Sequence, residues 1–408
     1  MPMKEICFVV QVPLTERDYD RLGVERFSQR GYRVSFLDLT FFLNREVFEK
    51  KIITSMNYEY CCSINSQDDL DKFFAARKAQ CWFLIDFTGR SESEVLLEKY
   101  LKDSKVIYGI LCVNSIPRVR YQPLWQMVFS KKAWQRLRQL LQSKILPSLR
   151  KPLPVQFVIA GSLYDERKFP AMNENTKIIW AHTLDYDLFL DYRNHRDKPL
   201  IEGDYAVFLD EFFPYHPDFY LKGCPQNPFP SAEEYYDEMN RFFGIIERKL
   251  NLKVVIAAHP KSAYENMPSV FEGRTVIKGK TVDLVAHAQC VLCHGSTAVN
   301  FAVMFHKSLI FLLPARIKRQ FYGRVIAAAA NQFAHRPFDL SSIGLLDSQE
   351  VFKIDERAYE RYKERFIKRR HTPQKPLADI VADVFDRIVN NEIEEQEMRR
   401  HEKESINR

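Results

Sequence analysis

The stretch Leu252–Pro314 constrains the fold of this chain of 408 residues more than any other part of its sequence. It contains three apolar runs, Val254–Ala258, Cys290–Cys293 and Ser308–Leu313, which are separated by polar turns and helical patterns. Short apolar runs bounded by polar residues are typical of parallel strands that are buried on both faces. The pattern therefore predicts a parallel sheet that is covered by helices.

Polar residues follow the first two of these runs at the point where each predicted strand ends. They are His259, Pro260 and Lys261 after the first run, and His294, Gly295, Ser296 and Thr297 after the second. Open α/β sheets bind ligands at the carboxyl ends of their strands, and a turn that opens a helix offers unpaired N–H groups to an anion. Gly295 permits a close approach to the backbone, and the hydroxyls of Ser296 and Thr297 can bind a phosphate oxygen. The residues predict a phosphate site, whereas a plain helix cap and a structural histidine are the alternatives.

Strand and helix patterns alternate along the remaining chain and predict an α/β fold of two Rossmann-like domains. Residues 1–198 are the predicted first domain, 199–375 the second, and 376–408 a C-terminal helix with a charged tail. The segment Tyr192–Glu202 is the predicted linker, and one helix is predicted over Arg21–Arg30. The opening β-loop-α-β unit lacks the G-x-G-x-x-G fingerprint, which argues against a nicotinamide or flavin cofactor.

The first domain contains a strongly basic region. From Ser104 to Tyr164 the chain has ten lysine and arginine residues and no aspartate or glutamate. Within 117–151 these charges alternate with Trp125, Trp134 and aliphatic residues, which is the composition of an amphipathic helix at a membrane surface. A solvated basic face is the alternative. The chain has no nucleic-acid-binding motif, so we expect no nucleic-acid partner.

Several classes of protein are excluded by the composition. No apolar run approaches the ~18 residues of a membrane-spanning helix, and the N-terminus lacks the cleavage site of a signal peptide, so we expect a cytoplasmic protein. The eight cysteines have no disulfide-framework spacing and are expected to be reduced thiols. Cys290, Cys293 and His294 have the spacing of a c-type haem attachment site, but that reaction requires an export signal that the sequence does not show.

Two carboxylates, Asp210 and Glu211, follow the predicted strand Tyr205–Leu209. Paired carboxylates raise each other's pKa, and one of them can act as a general base. Because neighbouring side chains on a strand point to opposite faces, we expect one carboxylate to face a cleft and the other to brace the following loop. A helix cap or a surface turn is the alternative interpretation.

The acid pair Asp210-Glu211, then His259-Pro260, then Ser296-Thr297 resemble, in this order, the motifs of bacterial sialyltransferases, polysialyltransferases and Kdo transferases. The motif similarity covers about residues 205–315, and the first half agrees only in its β/α pattern. The resemblance implies a GT-B fold, with two facing Rossmann-like domains, a cleft between them and a C-terminal helix that crosses back. It also implies an inverting, metal-independent transfer of a sialic-acid-like or Kdo sugar from a CMP donor.

The same resemblance implies roles for individual residues. Asp210 or Glu211 would take the proton of the acceptor hydroxyl, with Asp210 slightly favoured, and His259 would bind or protonate the leaving phosphate. Ser296 and Thr297 would hold that phosphate. The CMP-sugar is then a substrate, and no cofactor and no metal are expected.

One departure from the family's pattern leaves the choice of base open. Phe212 stands where the family usually has a glycine after the acid pair. His182 and Asp185, which follow a predicted strand of the first domain, are the reserve candidates on the acceptor side.

The resemblance also implies partners and a location. The acceptor would be a lipid-linked or growing bacterial surface glycan such as capsule or lipopolysaccharide, and the protein would work at the cytoplasmic face of the inner membrane. Two alternatives remain. One is a GT-B enzyme that uses a UDP-sugar or CDP-polyol donor, or a nucleotide-sugar epimerase. The other is a catalytically silent subunit of a polysaccharide assembly complex.

Overall fold

The computed structural model covers most of the chain. The described residues are 4–77, 82–88, 91–103, 106–113, 117, 153–162, 172–195, 198–220, 227–229, 231–341 and 350–390. None of the described helices is long and apolar enough to cross a membrane. Apart from Pro117, the predicted basic region 117–151 lies outside the described residues, as does the tail 391–408.

The described strands form two sheets in which all neighbouring strands run parallel. The strands are β1 (Lys4–Val10), β2 (Tyr32–Asp38), β3 (Cys61–Ser63), β4 (Trp82–Asp86), β5 (Val106–Cys112), β6 (Phe157–Ala160), β7 (Lys177–Trp180), β8 (Tyr205–Leu209), β9 (Lys253–Ala258), β10 (Val276–Lys278), β11 (Cys290–Cys293), β12 (Ser308–Leu313) and β13 (Phe338–Asp339). The first sheet has the order β3-β2-β1-β4-β5-β6-β7, and the second has the order β10-β9-β8-β11-β12-β13. In both, the winding reverses beside the first strand, as in Rossmann-type sheets. The predicted α/β fold class is confirmed.

Helices connect the strands and cover the sheets. They are α1 (Glu16–Arg21), α2 (Val24–Gln29), α3 (Thr40–Leu43), α4 (Arg45–Lys50), α5 (Gln67–Ala75), α6 (Ser91–Asp103), α7 (Leu184–His195), α8 (Ala232–Leu250), α9 (Thr281–His287), α10 (Val299–Met304), α11 (Phe321–Asn331), α12 (Glu356–Tyr362) and α13 (377–390). The start of α8 shows why the sequence forms a helix there, since the hydroxyl of Ser231 accepts the backbone N–H of Glu234 at 3.3 Å.

The central strands of the second sheet carry its core. Every residue of β8, β11 and β12 is buried. Because helices cover both faces of the sheet, these strands are continuously apolar and do not alternate with polar residues. Their bounds coincide with those of the apolar runs in the sequence.

The predicted helix Arg21–Arg30 begins only after Gly23, as α2, and is preceded by a separate helix, α1, over Glu16–Arg21. Gly23 has a φ of 69°, and a Cβ atom there would lie 2.6 Å from the Cβ of Ala378 in α13. The interruption therefore allows the C-terminal helix to pack closely on the first domain. Phe385 of α13 stacks on Phe83 of β4 with the ring centroids 3.8 Å apart. The last helix thus crosses back to the first domain, as the resemblance implied.

Two segments cross between the sheets side by side. His182, after β7, forms an antiparallel bridge with Lys368, which follows α12 and one π-helical turn. The backbone N–H of Thr183 donates to the carbonyl of Ile367 at 2.9 Å. The outgoing and returning chains are therefore tied to each other where the two domains meet.

The predicted linker Tyr192–Glu202 was wrong for its first four residues, which belong to α7. Tyr186 of this helix is part of the core of the second domain, and Phe189 and Leu190 pack against that core. These positions recur at helical spacing on one face, so burial of that face extends the helix through His195. The charged residues near the C-terminus of this helix had been interpreted as part of the linker.

Candidate active site

Strands β8, β9 and β11 end side by side where the winding of the second sheet reverses. β8 pairs with β9 on one side and with β11 on the other. Asp210 and Glu211 follow β8, His259 follows β9, and His294 follows β11. The sheet therefore brings the ends of all three sequence motifs to the edge at which α/β sheets bind ligands.

Asp210 lies beneath this edge, with only 5% of its surface exposed. Its carboxylate accepts the backbone N–H of Phe212 at 3.0 Å, the backbone N–H of His259 at 3.3 Å and the hydroxyl of Tyr264 at 2.9 Å. Burial raises the pKa of Asp210 to about 6, although these donors oppose the shift. Asp210 therefore braces the loop after β8 and fixes the turn after β9 to it.

Glu211 reaches from β8 across to the turn after β11. Its Oε1 accepts the backbone N–H of Gly295 at 2.7 Å. Burial of the carboxylate raises the pKa of Glu211 to about 7, with the N–H of Gly295 opposing the shift. At neutral pH this group exchanges a proton readily, as a general base requires. Of the two carboxylates, Glu211 is the one placed at the edge of the sheet.

The turn after β11 differs in one respect from the phosphate site that the sequence predicts. The N–H of Gly295 is occupied by the carboxylate of Glu211, so an external phosphate there would meet a like charge. The hydroxyl of Ser296 accepts the N–H of Ala298 at 3.2 Å, and Thr297 is exposed. That Ser296 and Thr297 hold a phosphate stays a prediction, and the observed contact of Ser296 lies in the turn before α10, whose N-cap residue Ala298 makes no side-chain cap hydrogen bond.

His294 requires a correction, because it is fully buried and does not reach the cleft. Its Nδ1 lies 2.7 Å from the carbonyl of Leu312, and its Nε2 lies 3.0 Å from the hydroxyl of Tyr235. Burial lowers the pKa of His294 to about 4, so the ring is neutral, donating to Leu312 and accepting from Tyr235. This histidine joins β11, β12 and α8, and both of its ring nitrogens are used inside the fold.

His259 is half-buried in the turn after β9. Its Nδ1 accepts the backbone N–H of Lys261 at 3.2 Å, so the proton of the neutral ring is on Nε2. Burial lowers the pKa of His259 to about 3, with smaller contributions from His216, Lys261 and Arg17. The imidazole is therefore a neutral hydrogen-bond donor near neutral pH, and Pro260 beside it is exposed.

Two residues near His259 could not be recognised as part of the site by their sequence motifs alone. The ring of His216 lies 4.8 Å from that of His259. Arg17, on α1 of the first domain, is close enough for its charge to lower the pKa of His259. A second His-Pro pair in the loop after β8 was the available signal for His216, whereas nothing in the sequence connects Arg17 with β9. Among the described residues, no cluster of histidine, cysteine, aspartate or glutamate could hold a metal ion.

The two reserve candidates of the first domain have structural contacts. His182 is fully buried, with its ring nitrogens 3.0 Å and 2.9 Å from the carbonyls of Thr183 and Lys375. Asp185 is 5% exposed and uses both carboxylate oxygens, one for Arg21 and one for Asn300, each at 2.9 Å. His182 fastens the crossing segments, and Asp185 connects the first domain to α10 of the second. Neither presents a free group to the cleft.

Solved structures share this architecture. The wall teichoic acid polymerase TagF superposes with a TM-score of 0.53 at 10% identity, over 96% of this chain and 90% of that chain. UDP-GlcNAc 2-epimerase from Neisseria meningitidis, bound to UDP-GlcNAc, has a TM-score of 0.47 at 11% identity, over 94% and 99% of the two chains. MnaA from S. aureus, in a structure with UDP, has a TM-score of 0.47 at 12% identity, over 93% and 95%. No family model and no curated protein matches the sequence.

These likenesses concern the fold alone, because the identities are far below those that accompany a shared function. The sequence resemblance to CMP-dependent sialyltransferases is supported by them only at the level of the fold. Two parallel sheets, each wound in the Rossmann order, together with the returning C-terminal helix, give this chain a GT-B-like α/β fold.

Proposed function

We propose that this chain is a GT-B transferase that moves a sugar from a nucleotide-activated donor, which it binds at the carboxyl edge of the second sheet. One observation carries the proposal: Glu211 and His259 follow the adjacent strands β8 and β9. One is a carboxylate with a pKa near neutrality, and the other is a neutral imidazole whose Nδ1 accepts a backbone N–H, which leaves the proton on Nε2 available for donation. Glycosyl transfer needs both kinds of group, one to take a proton and one to stabilise the leaving phosphate.

In the proposed reaction, Glu211 and His259 have separate roles. Glu211 takes the proton of the acceptor hydroxyl while the new C–O bond forms at the anomeric carbon. The bond between that carbon and the donor phosphate oxygen breaks at the same time, which inverts the configuration. The Nε2–H of His259 donates to the departing phosphate, and the positive charges of Lys261 and Arg17 stabilise it without a metal ion.

The charge near His259 favours a nucleoside diphosphate as the leaving group. Lys261 and Arg17 are close enough to the imidazole of His259 for their positive charges to lower its pKa. A diphosphate has more negative charge and more acceptor oxygens than a monophosphate, so it uses this set of donors more fully. A UDP- or CDP-activated donor is therefore the first candidate. A CMP-activated sialic-acid-like or Kdo sugar is the second candidate. It is supported by the motifs that resemble those of the CMP-dependent enzymes, which follow adjacent strands of the second sheet.

The acceptor and the place of action rest on the sequence. A lipid-linked or growing surface glycan fits a cytoplasmic GT-B transferase, and the basic, tryptophan-bearing region 117–151 fits peripheral contact with an anionic inner-membrane surface. Both belong to the proposal. Co-sedimentation with vesicles that contain phosphatidylglycerol, compared with purely zwitterionic vesicles, tests the membrane contact.

Transfer itself is tested by incubating the chain with UDP-, CDP- or CMP-activated sugars and a glycan acceptor, and by measuring the nucleotide released. We expect acceptor-dependent release with one donor class, reduced roughly 10²–10⁴-fold in Glu211→Gln. Conversion of the donor without an acceptor and without nucleotide release would identify an epimerase. Nucleotide binding with neither reaction would identify a silent subunit, and both results would overturn the transferase proposal.

A further inference from the structure

The loop after β8 repeats the construction of the turn that carries His259. In His216-Pro217-Asp218 the Nδ1 of the histidine accepts the backbone N–H of Asp218 at 3.1 Å. In His259-Pro260-Lys261 the Nδ1 accepts the backbone N–H of Lys261 at 3.2 Å. Each histidine therefore folds back on the residue two positions later, and each ring is held by its own turn.

These backbone contacts determine which ring nitrogen has the proton. A nitrogen that accepts an N–H must offer its lone pair, so the proton of each neutral ring is on Nε2. Burial lowers the pKa of both histidines, and that of His259 falls to about 3. Within the described part of the chain, neither Nε2 has a hydrogen-bond partner. The two turns therefore hold two neutral N–H donors ready for a ligand.

The two imidazole rings lie close to each other. Their centroids are 4.8 Å apart and their planes are inclined by 52°. Asp218 lies between the imidazole of His216 and the ammonium group of Lys261, with its Oδ1 3.7 Å from the former and 3.8 Å from the latter. The charge of Arg17 reaches the ring of His259 from the first domain. Two donors with the positive charges of Lys261 and Arg17 nearby match the several acceptor oxygens of a phosphate group.

We propose that His216 and His259 form a two-histidine clamp, in which each ring donates its Nε2–H to the phosphate of the bound donor and His216 is a phosphate-binding residue in its own right. The identity of the ligand rests on the proposed function, whereas the clamp itself requires only a phosphate.

The test uses His216→Asn, because an asparagine oxygen can accept the N–H of Asp218 and keep the turn while the Nε2–H donor is lost. Inorganic pyrophosphate is the probe, measured by titration calorimetry. Loss of one hydrogen bond to a charged group predicts binding that is weaker by roughly 10- to 100-fold, with an unchanged melting temperature. His195, an exposed histidine of α7, provides the control, and His195→Asn is expected to bind as tightly as the wild type.

A second measurement needs no variant. In the wild-type chain, pyrophosphate is expected to shift the Nε2 resonances of both His216 and His259 in ¹⁵N spectra. Equal affinity of His216→Asn and wild type, a resonance of His216 that does not move, or no binding of pyrophosphate at all would overturn the clamp. Since pyrophosphate transfers no sugar, a clamp confirmed in a chain that is inactive with every nucleotide sugar would refute the proposed function and leave this inference standing.

Discussion

Replacing Glu211 by glutamine separates catalysis from stability. The amide oxygen of Glu211→Gln can still accept the N–H of Gly295, which Glu211 accepts at 2.7 Å, so the turn after β11 is expected to keep its shape. The variant has no charge and cannot take a proton. We therefore expect turnover to fall roughly 10²–10⁴-fold while the fold becomes more stable at alkaline pH.

The size and direction of the stability change follow from the pKa of Glu211. The pKa of Glu211 rises from 4.5 to about 7 on folding. Between pH 4.5 and about pH 7 the folded chain therefore keeps a proton that the unfolded chain has lost. The ionised carboxylate therefore destabilises the fold as pH rises from 4.5 to about 7, and the effect is complete above that range. A fully enclosed carboxyl would cost about 3 kcal/mol, and we expect about 2 kcal/mol for this half-buried one.

The assay is thermal unfolding of the wild type and Glu211→Gln at pH 4.5 and pH 8.5. A gain of about 2 kcal/mol corresponds to an increase in melting temperature of roughly 4–8 °C for a domain of this size at the higher pH, and to none at the lower pH. Glu174→Gln, at an exposed loop position, is the control and is expected to show no such difference. Equal melting temperatures at pH 8.5, or a stabilised variant with full activity, would refute the reasoning.

Three further predictions follow from the contacts described. His259→Asn is expected to lower turnover roughly 10²–10⁴-fold at an unchanged melting temperature, and near-normal initial rates would remove His259 from the chemistry. Asp185→Ala leaves the guanidinium of Arg21 and the amide of Asn300 without the carboxylate that they share. Denaturant unfolding should therefore show a free energy of unfolding that is lower by about 3–5 kcal/mol, and a decrease below about 1 kcal/mol would contradict the bridge. Because the pKa of His294 is lowered to about 4, the neutral ring stabilises the fold fully above pH 6.5. This contribution to the free energy of unfolding, up to about 3 kcal/mol, is lost as the pH falls toward 4. An acid unfolding profile that is unchanged in His294→Gln would contradict this.

The fold could be predicted from the sequence because its strands are continuously apolar. Tyr205–Leu209, Cys290–Cys293 and Ser308–Leu313 have the same bounds in sequence and structure, since helices cover both faces of the sheet. The helix α7 was partly missed because its buried positions are separated by charged residues and followed by a proline. The break at Gly23 depends on the distant Ala378, which no local pattern shows.

The candidate site could be predicted only as far as the order of its motifs. The strand ends identified Asp210, Glu211 and His259, with Asp210 favoured as the base, but not that Asp210 turns inward or that Glu211 occupies the N–H of Gly295. His294 was misassigned because a histidine after a strand can turn toward solvent or toward the core, and only the packing of β12 and α8 against β11 decides between them.

The basic residues near the site show the same limit. His216 was missed although its turn repeats the construction of the turn at His259, because the contact between the two turns depends on the loop that follows β8. Arg17 reaches the site from the other domain, so its place depends on how the two domains face each other. Tertiary contacts of this kind cannot be recognised from the spacing of residues in the sequence.

The central claim is that a nucleotide binds at the carboxyl edge of the second sheet beside His259. Titration calorimetry of UDP, CDP and CMP into the wild type and His259→Asn tests it directly. We expect saturable binding of at least one nucleotide, with the diphosphates bound more tightly than CMP, and an affinity roughly 10- to 100-fold lower in His259→Asn. Absence of binding by all three at millimolar concentration, or equal affinity in the two proteins, would contradict it.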